Sequence, residues 1–112
     1  MLLQITTATG VLLATIVIHG AAVMLLFRMA REPVSNPQNL RGYARLGVSC
    51  FFVAGFVMAH MIEIMLWAAA YRLAGELQSF EEATYFSAIT FATIGYGDVT
   101  LSDEWRLASA IE

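Results

Sequence analysis

Lysine is absent from this 112-residue chain, cysteine occurs once and proline twice. Charged side chains make up 13% of it, where an ordinary soluble domain carries about 25%. A single cysteine, Cys50, excludes an internal disulfide, and its place in an apolar run predicts a small buried apolar residue. No basic patch with interleaved aromatics is present, so a nucleic-acid partner is excluded. No basic residue recurs every third position along a helix, which excludes a voltage sensor. There is no internal repeat.

Hydrophobic residues make up 59% of the chain, and much of that lies in two runs. Leu2–Phe27 holds no formal charge, its one titratable side chain near neutral pH being His19. Leu46–Tyr71 holds only His60 and Glu63. Each run would form a helix of about 39 Å, enough to cross a hydrocarbon core of about 30 Å with some tilt. The first has no polar face of useful width, which argues against a soluble bundle. It also lacks a basic leader and a small-x-small cleavage pattern, so it reads as a retained membrane helix rather than a signal peptide. Arg28, Arg31, Arg41 and Arg45 lie at or between the ends of the two runs. The positive-inside rule puts that connection in the cytoplasm of a multi-pass cell-membrane protein. The N-terminus and the segment carrying Glu76, Glu81 and Glu82 then lie outside.

Local signals divide the rest. Asn36-Pro37 predicts a helix start, asparagine capping and proline in the first turn. Trp67, Tyr71 and Arg72 read as an interfacial anchor, and Gly75 as the stop. Ser79-Phe80-Glu81-Glu82 matches a capping box, predicting a helix over Phe80–Ala92. At about 20 Å that helix is too short to span. Ser102-Asp103-Glu104 predicts a further helix start, with Trp105–Glu112 its first turns. The expected organisation is a first transmembrane helix (1–28), a cytoplasmic connection (29–45), a second transmembrane helix (46–74), a re-entrant helix and loop (75–101) and an incomplete inner helix (102–112). The fold class is an all-α membrane protein.

The run Thr90-Phe91-Ala92-Thr93-Ile94-Gly95-Tyr96-Gly97-Asp98 is the most specific signal. A dehydrated cation needs a cage of oxygens, which backbone carbonyls supply only when successive residues turn them toward one axis. Such a backbone alternates between ordinary and left-handed conformations, and glycine tolerates the latter. The helix before it would aim its negative C-terminal end at the same place. The run resembles the selectivity filter of potassium channels, and Ser79–Glu112 is similar to the pore region of the two-transmembrane family of bacterial ion-channel-2 type.

That resemblance implies potassium sites formed by Thr93, Ile94, Gly95 and Tyr96, with the Thr93 hydroxyl as a further ligand. It implies that Gly97 permits the outer turn and that Asp98 ties the filter to the pore helix. Thr90, Tyr85 and Phe86 would form a stiff support. Potassium, the bilayer and three identical subunits around one pore are the implied partners, with no cofactor and no enzymatic activity. Two departures stand beside it: an extra first helix, and an inner helix that stops at Glu112. The second is expected of a fragment or a truncated reading frame, and keeps a non-conducting regulatory subunit as the alternative.

Gly95-x-Gly97-Asp98 also fits the signature of intramembrane aspartyl proteases, which need two embedded aspartates sharing a proton. The other aspartate, Asp103, is expected at the outer surface. His60 and Glu63 share a helix face with Val53, Phe56, Trp67 and Tyr71, opposite Met58, Met61 and Met65. A mid-membrane carboxylate predicts that this stripe faces protein, with His60 and Glu63 a structural pair or a pH-sensitive brace against the pore helix. Two ligands are too few for a metal. Counting from the cytoplasmic ends puts His19 level with Val53, about 10 Å from His60, as a lone residue.

Overall fold

The structure, a computed structural model, describes residues 2–31 and 42–112. Among these, four helices follow one another: α1 (Leu2–Met29), α2 (Gly42–Leu73), α3 (Phe80–Phe91) and α4 (Arg106–Ile111). No strand occurs among the described residues, and the architecture is all-α. α1 and α2 are both long and apolar enough to cross a membrane. The helix start expected at Asn36-Pro37 lies outside the described residues.

Leu13, Ile16, Val17 and Met24 of α1 stay uncovered, as do Met58, Met61 and Met65 of α2. Such surfaces suit a hydrocarbon solvent, where an exposed leucine costs nothing. The two helices touch through Leu26, whose side chain occupies the space a Cβ on Gly55 would need, and through Phe27 and Phe52, with ring centroids 5.2 Å apart. This contact corrects the depth reckoned from sequence. The end of α1 is level with Phe52–Gly55 and not with Leu46, a shift of roughly 10 Å at 1.5 Å per residue. His19 therefore lies beside Phe56, His60 and Glu63, and the expectation that it stands alone is wrong.

α2 stops where Gly75 takes φ +80°. The Gly75 and Glu76 amides then donate to the carbonyls of Arg72 and Tyr71, the double bond of a glycine C-cap. Four residues on, the Ser79 hydroxyl accepts from the Glu82 amide at 3.0 Å, while the Glu82 carboxylate accepts from the Gln78 amide at 3.1 Å. The capping box is present, with its return bond one residue earlier than the usual cap amide.

The core sits at this end of the molecule. Trp67, Ala68 and Tyr71 of α2 pack with Leu77, Ala83, Phe86, Leu101 and Ala108, and with Ala8 of α1. Trp67 and Tyr71 are therefore core residues and not an interfacial anchor; α3 and the 101–108 segment cover them. Val53, expected on the buried stripe, is exposed because it lies below the level that α3 reaches. Cys50, expected to be buried, is exposed too. The last helix begins later than Ser102 predicts. The Ser102 amide is held by Glu76 at 2.8 Å, and its carbonyl accepts from Trp105 and Arg106 in a turn before α4.

Candidate functional site

The loop after α3 is built from the end of that helix. The Ile89 carbonyl accepts from the amides of both Ile94 and Gly95, at 2.9 and 3.2 Å. Thr90 accepts from the Thr93 amide at 2.8 Å. These bonds turn the loop amides back toward α3. Among the described residues, no backbone amide donates to the carbonyls of Thr93, Ile94, Gly95 or Tyr96.

Left-handed backbone recurs at every second residue: φ is +57° at Thr93, +53° at Gly95 and +76° at Gly97. Ile94 and Tyr96 have negative φ. Alternation of this kind turns successive carbonyls to one side of the chain. Two of the three positions are glycine, for which the conformation carries no steric cost. Thr93 is β-branched, and a left-handed residue of that kind is strained by about 1–2 kcal/mol. Sequence reasoning located the glycines but not this strained threonine.

Asp98, just past the last glycine, accepts a hydrogen bond of 2.7 Å from the Tyr85 hydroxyl of α3. That bond holds the Asp98 carboxyl below the usual carboxylate range and raises the Tyr85 phenol. It joins the far end of the loop to the middle of α3. Phe86 meets the Tyr71 ring edge-on at 5.4 Å and packs in the core with Leu101, so it fixes α3 to α2 and to the end of the loop. Ser87, fully buried, lies 3.0 Å from the Ile64 carbonyl and bonds the Glu112 carboxyl, which also accepts from the Tyr71 hydroxyl at 2.8 Å. The Tyr71–Glu112–Ser87 node links α2, α3 and the end of α4. Sequence reasoning missed it; an acid ending an apolar run was the available signal.

Residues 48–112, more than half of the chain, match the family described as Ion channel. The chain belongs to the two-transmembrane ion channel family. The match covers most of α2, the short α3, the loop and α4, and leaves α1 outside it. No curated protein and no solved structure matches the chain. The channel's two aspartates do not form a shared-proton pair: Asp98 is bonded to Tyr85, and Asp103 lies 3.2 Å from Arg106.

Glu63 of this channel is buried and bridges two rings. One carboxylate oxygen lies 3.1 Å from Nδ1 of His19, the other 3.0 Å from Nδ1 of His60. The brace expected against the pore helix thus runs from α2 to α1. It meets α3 through His60, whose ring centroid is 5.0 Å from that of Phe91.

Proposed function

We propose that the chain is a potassium-selective channel subunit, with four copies surrounding one pore lined by the Thr93, Ile94, Gly95 and Tyr96 carbonyls and the Thr93 hydroxyl. The observation that carries this reading is the alternating backbone of Thr93–Gly97, with its four carbonyls unused by backbone donors. Carbonyls left free in this way replace the water of a dehydrated ion. Ile94 and Tyr96 are exposed on a single chain, which fits a loop completed by neighbouring copies. Gly97 serves the outer turn, and Asp98 with Tyr85 ties the filter to the pore helix. The short α3 supports cation entry through the negative end of its dipole. The first helix is an addition outside this pore, in a cell membrane.

Potassium and sodium flux into vesicles containing the purified protein tests the proposal. Potassium flux well above sodium flux is expected, together with a tetramer in detergent. Gly95→Ala places a side chain at φ +53° and should abolish the preference. Unchanged potassium selectivity in Gly95→Ala, or no ion flux from the intact protein, would refute it.

A further inference from the structure

His19, His60 and Glu63 bring one ligand atom each to within 4.8 Å of one another, from two helices. A tetrahedral metal with bonds of about 2.0–2.1 Å spaces its ligand atoms about 3.3 Å apart. Here Nδ1 of His19 stands 3.1 Å from one Glu63 oxygen and Nδ1 of His60 3.0 Å from the other, so a small turn of the carboxylate brings one oxygen to both rings. Glu63 is nearly enclosed, while both imidazole side chains are about 40% exposed and leave a route in. Phe52, Phe56 and Phe91 make the surroundings apolar. A carboxylate enclosed among apolar rings is costly to keep charged unless a cation pairs with it.

We propose that His19, His60 and Glu63 form a binding site for a divalent transition metal that clamps α1 to α2 behind the end of the pore helix. Two imidazoles and one carboxylate select zinc, cobalt, nickel or copper over magnesium and calcium, which prefer oxygen. Three protein ligands leave a fourth position for water. On binding, each neutral ring moves its proton to Nε2 and presents the Nδ1 lone pair, so no net proton is released. Through the contact of His60 with Phe91, two residues before Thr93, the clamp stiffens the support of the filter loop. α1, the helix outside the family match, supplies the ligand that makes the site possible.

Zinc titrated into the chelator-treated, purified full chain in detergent tests the site without any measurement of conduction. Calorimetry should give one zinc per chain and a higher Tm with zinc than without. Cobalt should give the intense visible absorption of four-coordinate nitrogen and oxygen ligation. His19→Gln and His60→Gln should each weaken zinc binding at least tenfold while leaving the helical circular dichroism unchanged. Should Glu63→Gln fail to fold, the two histidine variants decide the matter. Zinc bound equally well by both histidine variants would overturn the proposal. So would a Tm that follows pH but ignores zinc, which would make the cluster a proton site.

Discussion

At the scale of single residues, the far end of the loop is held by one hydroxyl and one carboxylate. Tyr85 donates to Asp98 at 2.7 Å, and the bond favours the charged carboxylate. A group whose folded pKa is depressed stabilises the fold above its unfolded pKa, and that contribution fades as the pH falls through the folded value. The Tyr85–Asp98 tie should therefore be intact at neutral pH and loosen only in acid below the ordinary carboxylate range. Tyr85→Phe removes the donor, so the Asp98 titration should move up toward that range. Carbon NMR of the Asp98 carboxyl reads the midpoint directly; an unmoved midpoint in Tyr85→Phe would mean the backbone amides alone set it. The partners of this bond were legible as residues of interest, since Asp98 follows a recognisable glycine pair. The bond itself was not, because donor and acceptor stand thirteen positions apart, across the last turns of α3 and the loop. The triad was less legible still: His19 and Glu63 are 44 residues apart, and only the helix register brings them together.

Helices α1 and α2 were readable from hydrophobic runs alone, and the ends of α2 and α3 from a glycine and a capping box. Each of those signals is local, involving bonds between residues a few positions apart. The pairing of α1 with α2 has no such signal. It is fixed by a small residue meeting a large one: Leu26 sits where a Gly55 side chain would be. Close approach at small residues is the usual means by which membrane helices associate. Gly55→Val should force these helices apart and lower stability by about 1–3 kcal/mol, the usual cost of overpacking. Leu26→Ala in the same chain should recover most of the loss. Thermal unfolding of the two single variants and the double variant measures the coupling; a Gly55→Val protein as stable as the parent would place α1 elsewhere.

The whole molecule is 56 Å long and unequal in charge at its two ends. Arg28, Arg31 and Arg45 are exposed around the end of α1 and the start of α2. Toward the other end Glu81 and Asp98 are exposed, and Glu76 and Glu82 hold the amides of Ser102 and Gln78. Basic residues flanking membrane helices stay on the cytoplasmic side, so the α1–α2 connection should be inside and the loop of Gly75–Ser79 outside. A pore loop that enters from the outside requires the same arrangement, and the charge argument does not depend on the loop. Cysteine labelling checks it. Cys50 is exposed and would report on its own, so it is first replaced in Cys50→Ala. Gly42→Cys and Gln78→Cys then place single thiols at exposed positions near opposite ends. In intact cells a membrane-impermeant maleimide should modify Gln78→Cys and reach Gly42→Cys only after permeabilisation. The reverse pattern would invert the protein in the membrane and turn the Thr93–Gly97 loop toward the cytoplasm. Neutralising Arg28, Arg31, Arg41 and Arg45 together should weaken the bias and give a mixed pattern, because the apolar runs that remain carry no preference for direction. A pattern unchanged by losing all four arginines would show that the acidic end, or a contact formed during insertion, sets the orientation instead.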